Sequence, residues 1–459
     1  MKSLKGPQSS AFIQLMNWIF RPLDFLEDCA RQYGDTFKLN FMGLPPFTVV
    51  SHPQGIEEIL SVDAKKFDVG RTNDLAAGLL GDNSLVLLDG EPHRRQRKLM
   101  MPPFHGEKVK SYAETICQIT NKVSSRWQEQ QTFIAQKAMQ DITLETILHV
   151  VFGLSGGERY QQIKPPLIEL LNLTGSPLKA SVIFLPLLQQ DLGEWSPWGK
   201  VVRRKAKIYE LLQAEIDQRR AEPQSAGNDV LSLLMSARDE RGEGLRDIEL
   251  KDQMMTLLVA GHETTATALS WALYWIHKLP EVKQKLLAEL DSLDSDADPL
   301  TISRLPYLTA VCNETLRIYP VAFIAFLRFA KSPIEVMRHQ FEAEEMLAPT
   351  IYLTHHREDL YPEPKKFKPE RFLERQYSTY EFLPFGGGNR RCIGYALALL
   401  EMKLVLATVL INHDLSLTSD RPILPKRRGA TIAPNNGVPL TLNRRRSPSS
   451  QKLVMASDF

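Results

Sequence analysis

The sequence is poor in the features that define several protein classes. Its opening residues hold only ten mostly apolar positions, Ala11 to Phe20, interrupted by Gln14 and Asn17. A bilayer span takes roughly 20 apolar residues, so no transmembrane anchor is expected there. Nor does the start read as a signal peptide, because Arg21-Pro22 follows and no small-residue cleavage site does. Cysteine is scarce: Cys29, Cys117, Cys312 and Cys392 are the only four in 459 residues, too far apart for a zinc cluster or a disulfide scaffold. That usage suits a reducing compartment, and a cytoplasmic protein is expected. Net charge is small, 56 basic against 54 acidic residues, which argues against a nucleic-acid partner. There is no internal repeat.

What is present suffices for a large core. Apolar residues make up 43 % and charged residues 24 %, as in ordinary globular chains. Length alone suggests two or three domains; the order of motifs below favours one. Phe12, Met16 and Ile19 share a helical face that reads as docking on the protein itself, with contact to a membrane surface as the alternative.

The densest signal is Phe385-Gly386-Gly387-Gly388-Asn389-Arg390-Arg391-Cys392-Ile393-Gly394. A glycine-filled turn delivers one cysteine to the start of an apolar run, Tyr395 to Ile411, that reads as a buried helix. Free N–H groups at a helix start favour thiolate, the form that binds metal. Alone, such a cysteine reads equally as a small buried apolar residue. The glycines fit neither nucleotide motif, because Arg391 stands where a dinucleotide fingerprint needs glycine and no Gly-Lys-Ser/Thr follows.

A second stretch is the helical pattern from Glu249 to Leu279, containing Ala260-Gly261-His262-Glu263-Thr264-Thr265. Mid-helix glycine costs about 1 kcal/mol and threonine can bond back to the carbonyl four residues earlier. A groove opened there would hold water or dioxygen beside Glu263 and Thr264; the plainer reading is two back-bonded threonines on a core helix. His262-Glu263 opens a zinc-protease motif that fails at Ala266. Glu314 and Arg317 share a helical face three residues apart, and Arg371 lies in Pro369-Glu370-Arg371-Phe372. Gly153-Leu154-Ser155-Gly156-Gly157 copies a serine-hydrolase elbow, but a helical pattern precedes it where the elbow needs a strand.

Taken in order and spacing, these motifs resemble the cytochrome P-450 family from about residue 20 to 442, and the cysteine stretch matches that family's haem-binding signature, F-x-x-G-x-R-x-C-x-G. The likeness is strongest to a bacterial soluble type, a cyanobacterial lipid-hydroxylase-like branch. It implies a mainly α fold with small segregated β-sheets and one large domain, residues 21–442, binding haem b between two long helices. Residues 1–20 become a docking leader, and 443–459, basic then Ser/Pro-containing, a disordered tail. Cys392 becomes the axial iron ligand; Phe385, Arg390, His93, Arg97 and Arg328 become haem contacts, the arginines toward propionates. His93 stands where the family usually has tryptophan, and the turn near Arg338 to Met346 lacks the family's usual glycines. Glu314, Arg317 and Arg371 become a charge triad that fixes the cysteine loop.

The resemblance also implies insertion of one oxygen atom from O2 into a C–H bond, with Glu263 and Thr264 delivering protons. Electrons would come from NAD(P)H through ferredoxin and ferredoxin reductase, or flavodoxin, with Arg94, Arg95, Lys98 and Arg391 as a basic docking patch or as plain solvated charges. Alternatives are an isomerase or peroxygenase, or a haem protein that binds a ligand without turnover. Phe323, Ile324 and Phe326 lie in an apolar segment that lines the pocket in the family, and with Met254, Met255, Leu257 and Leu258 they point to a fatty acid or related lipid or terpenoid. Residues 167–198, apolar and without regular period, read as core or as a lid.

Overall fold

Residues 4–174, 189–222, 227–294, 297–429 and 431–446 are described in a computed structural model. The central element is the helix Asp247–Lys278. Leu250, Met254, Leu258, Leu269, Trp271 and Ile276 are wholly buried, so it has no solvent face along most of its length. It packs against the helices Ala135–Thr146, Tyr395–Asn412 and Pro306–Ile318. Gly261 serves this packing, since an added Cβ would lie 3.2 Å from Ile147 Cδ1.

The β structure is peripheral and divided among small sheets. The largest has the order Thr36–Leu39, Phe47–Val50, Met346–Pro349, Arg328–Ala330, Phe67–Asp68. Only the second and third of these strands run parallel. The protein is therefore mainly α with segregated sheets, as the motifs imply. Tyr395–Asn412 is long and apolar enough to cross a membrane, but Leu404, Val405, Leu406 and Val409 are completely covered by neighbouring helices.

Several local expectations change. The N-terminal helix Ala11–Phe20 docks through Gln14 and Trp18, not through Phe12, which is exposed. The reason is aromatic packing: the Trp18 ring lies 5.2 Å from Phe41, 5.8 Å from Phe47 and 5.0 Å from Phe323. The stretch 67–81 contains a 3-10 turn, Gly70–Ala76, and a short helix, Ala77–Leu80. The turn after Val336 is made by Met337 and Arg338, both at positive φ, 52° and 62°. The residues from Asn443 do not begin the disordered tail: strand Pro439–Arg445 continues through them, and Arg446 pairs with Asp291 at 2.8 Å. Residues 447–459, and 175–188 of the proposed lid, lie outside the described residues. Gly153 follows the helical turn Ile147–Val151 at φ 70°, a helix end and not a nucleophile elbow.

Candidate active site

The cysteine loop is built from a 3-10 turn, Gly388–Arg390, followed by the helix Tyr395–Asn412 with Gly394 as its N-cap. Cys392 N–H donates to Phe385 O at 3.0 Å, closing the loop on itself. Gly387 is required by a close approach, because a Cβ would lie 2.6 Å from Leu60 Cδ1.

Cys392 retains accessible surface, yet burial pushes its thiol above the ordinary range. The two observations agree if that surface opens into a hollow walled by protein. Burial outweighs the Gly394 N–H and the Arg97 and Arg391 charges, which favour thiolate. The N–H groups at the helix start therefore favour thiolate without outweighing burial.

The hollow has further walls. A Cβ on Gly386 or Gly394 would meet no atom within 4 Å, so these two positions of the cysteine loop are not packed against protein. On the central helix, buried from Asp252 to Leu258 and again from Thr265 to Tyr274, Ala260 is exposed. The backbone stays helical throughout, so no groove opens; Thr264 Oγ1 donates to Ala260 O at 2.5 Å, the plainer of the two sequence readings. Glu263 sits about 100° further round the helix and meets other partners, Gln136, Gln140 and Arg428.

Beside the loop, a cavity of about 290 Å³ is lined by His93, Arg97, Asn389 and Arg390. Arg97 is half-buried, and its guanidinium makes no hydrogen bond or ion pair with any described residue. Burial lowers its pKa from the usual value, the Cys392 charge opposing. His93 is buried and pushed down to about 4 by burial and by Arg390 and Arg97, hence neutral. Arg390 is otherwise engaged: it pairs with Asp89 and donates to Leu85 O at 3.2 Å and Leu88 O at 2.5 Å. Its guanidinium braces the loop against residues 85–89 rather than standing free for a propionate. Arg328 is buried in its strand, donating to Phe326 O.

Asp89, which sequence reasoning missed, accepts from Val69 N at 2.8 Å, Gly70 N at 3.0 Å and Arg71 N at 3.2 Å. Burial raises its pKa, but these N–H groups and Arg390 win and hold it below the usual value.

The charge triad is assembled. Arg317 donates to Glu314 through Nε at 2.6 Å and Nη2 at 2.8 Å, and Arg371 Nε reaches Glu314 at 3.2 Å. A second missed residue carries the triad to the loop: Arg317 Nη1 donates to His355 O at 2.8 Å, and His355 Nε2 accepts Leu383 N–H at 3.0 Å, two residues before Phe385.

The expected pocket segment separates by alternation. Val321, Phe323 and Ala325 are buried; Ala322 and Phe326 are exposed and Ile324 is intermediate. Phe323 therefore belongs to the Trp18 core and does not line the pocket. The basic patch is largely neutralised, with Arg95 paired to Asp239 at 2.6 Å, Lys98 to Glu240 at 2.5 Å and Arg94 to Glu91 at 3.2 Å; Arg391 lies 4.0 Å over the Tyr395 ring.

An accessible thiol, unfilled space at two glycines of its loop, an Arg97 guanidinium with no carboxylate partner among the described residues and an exposed alanine on the central helix fit a flat prosthetic group with two carboxylates. The fold and these residues define a haem-thiolate oxidoreductase. The chain belongs to the cytochrome P450 family, whose profile matches residues 5–440. It is 36 % identical over 98 % of its length to a Mycobacterium tuberculosis protein designated cytochrome P450 135B1, covering 93 % of that protein. It is 30 % identical over 95 % of its length to a second one, designated 135A1, covering 94 %. Among solved structures, retinoic-acid-bound cyanobacterial CYP120A1 superposes with a TM-score of 0.82 at 25 % identity, over 97 % of this chain and all of that one. Membership makes the protein a haem-dependent monooxygenase that uses dioxygen and external electrons.

Proposed function

We propose that the protein hydroxylates an apolar substrate, a fatty acid or related lipid or terpenoid. The observation that carries the substrate class is the segment Ala322, Ile324, Phe326, whose accessible side chains are all apolar. The retinoic acid in the cyanobacterial relative, a terpenoid acid, supports the same class.

Haem bound through Cys392 supplies thiolate-assisted cleavage of the O–O bond. Cys392 is the proposed ligand, Arg97 the propionate partner and His93 a neutral neighbour that can donate a hydrogen bond. Phe385 is a proposed haem contact whose carbonyl accepts the Cys392 N–H and so closes the loop around the ligand. Glu314, Arg317 and Arg371, through His355, fix the loop so that the sulfur does not wander. Thr264 presents its hydroxyl on the Ala260 face, and Glu263, on the adjoining one, is the proposed proton relay. Electrons come from a ferredoxin with its reductase, or a flavodoxin; the ion pairs at Arg94, Arg95 and Lys98 leave less free positive charge for docking than the sequence suggests. We place the protein in the cytoplasm, in keeping with its dispersed free cysteines.

The decisive test is the absorption spectrum of the reduced, CO-bound protein, where thiolate ligation gives a strongly red-shifted Soret band. Titration with fatty acids, terpenoids and retinoids, read through the iron spin state, then assigns the substrate. Binding without any oxygen-dependent product would favour a ligand-binding haem protein.

A further inference from the structure

Arg427 is a half-buried cation without a carboxylate partner among the described residues. It lies on the strand Pro425–Arg428, which pairs antiparallel with Thr431–Pro434, and Ile432 stands directly opposite it. Opposed residues on such a ladder project to the same face. Ile432 is buried in the aromatic cluster of Trp18, Phe41, Phe47 and Phe323, and the Arg427 guanidinium follows it there. Its Nη1 donates to Trp18 O at 3.2 Å and its Nε to Gly429 O at 2.9 Å. Both acceptors are neutral carbonyls, and Nη2 makes no hydrogen bond with a described residue. Burial alone pushes the Arg427 pKa down, to about 10, with no carboxylate opposing, so the side chain is still a cation at neutral pH. The two nearest arginines in sequence and space differ: Arg428, on the other face of the strand, pairs with Glu263 at 3.3 Å, and Arg21, after the N-terminal helix, pairs with Asp28 at 3.0 Å. A charge withdrawn from water without an opposite charge is costly, and an anion reaching it would recover that cost.

The strand pair is joined to the apolar segment. Ile432 donates its N–H to Val321 O at 2.9 Å and accepts Trp271 Nε1–H, from the central helix, at 3.0 Å. Ile324, one of the three accessible apolar side chains of that segment, packs against the same Trp18 cluster. Arg427 and Ile324 thus border one aromatic cluster, which sets a cation at the edge of the apolar surface.

We propose that Arg427 binds the carboxylate of the substrate, so that the guest is an apolar acid and not a neutral lipid, and that Arg427 is the residue which selects for the acid end. This rests on the reading of the guest as an apolar chain held by Ile324 and Phe326. The planar guanidinium suits the role, because two of its N–H groups can meet both oxygens of one carboxylate, and Nη2 brings donors that no described residue uses. Its Nε bond to Gly429 O and its Nη1 bond to Trp18 O hold the fork in place before any ligand arrives.

The test is a titration of the haem-loaded full chain, read through the iron spin state, with matched acids and alcohols: hexadecanoic acid against hexadecanol, and retinoic acid against retinol. The unsubstituted protein is expected to bind each acid about tenfold or more tightly than its alcohol, the scale of a charge-assisted hydrogen bond. Arg427→Gln is expected to lose that preference by weakening the acids alone, and Arg427→Lys to keep part of it. The melting temperature gives a second readout: the acids raise it in the unsubstituted protein and not in Arg427→Gln. Arg427→Met serves if Arg427→Gln folds poorly, since it keeps the apolar stem and removes the unbalanced charge. Equal affinity of the unsubstituted protein for acid and alcohol overturns the proposal and leaves the apolar guest standing, as does an Arg427→Gln loss that falls on acids and alcohols alike. No spin-state response to any of these compounds overturns the apolar-guest reading, and the proposal with it.

Discussion

The Arg317 guanidinium grips Glu314 with two hydrogen bonds, 2.6 and 2.8 Å, and both side chains are completely buried. Two opposite charges out of water stabilise little as a pair, but removing one strands the other at a cost of about 3–5 kcal/mol. Arg317→Met is therefore expected to destabilise by that order in urea denaturation, even though Arg371 and the Lys368 N–H still face Glu314. Because Arg317 also holds the His355 carbonyl, and His355 holds Leu383, amide exchange at Leu383 should accelerate more than exchange in the distant Trp18 core. Equal acceleration in both places would mean the triad stabilises the fold in general and not the cysteine loop.

Phe323 and Phe326 separate packing from binding. Phe323 is 3 % exposed and touches Trp18, whereas Phe326 is 42 % exposed. Phe323→Ala should cost about 3–5 kcal/mol of stability. Phe326→Ala should leave the melting temperature within a degree or two, since exposed sites change stability by about 0.5 kcal/mol or less, and should weaken spin-state binding of apolar acids instead. Loss of stability without loss of binding in Phe326→Ala would remove it from the pocket.

The contrast shows what the sequence could and could not disclose. The cysteine loop, the central helix and Glu314 with Arg317 are local patterns, legible because their partners lie within a few residues or because glycine marks a required turn. Phe323 was misplaced because six apolar residues in a row hide which alternate ones face inward. His355, Asp89, Gln140 and Arg428 had no local signal at all: their partners lie tens to hundreds of residues away, at Arg317, Arg390 and Glu263. Asp89 occupies the N-cap position of the helix Gly90–Met100 without capping it, because its carboxylate turns back to residues 69–71.

Arg338 offers a simple test of turn chemistry. With Met337 it forms the two-residue connection between the paired Val336 and His339, and both residues have positive φ. Such a turn favours glycine, and a side chain there costs about 1 kcal/mol or more. Arg338→Gly should raise stability by about that amount. Met337 should be kept, since its side chain fills the space above Gly55. A lower melting temperature in Arg338→Gly would show that the arginine makes a contact worth more than the strain.

Glu401 makes a pH-dependent prediction. It is 3 % exposed on the cysteine helix, its Oε1 has no partner among the described residues, and burial pushes its pKa up to about 8, the Thr146 hydroxyl opposing. Folded-state pKa above the unfolded value near 4.5 means the folded protein holds the proton more tightly. Stability from this group is complete below about 4.5 and is lost as pH rises toward 8. Glu401→Gln keeps the shape without the ionisation. It should be more stable than the parent at pH 8 by on the order of 2–4 kcal/mol, with the difference vanishing near pH 4. The buried histidines act on the other limb: His262 and His277, each pushed down to about 4, make both proteins lose stability as pH falls from 6.5 toward 4. Comparing the two proteins pH by pH cancels that limb. A difference in urea midpoints that stayed constant from pH 4 to 8 would show that Glu401 is ionised in the fold with a partner, and that its burial is not what sets its charge.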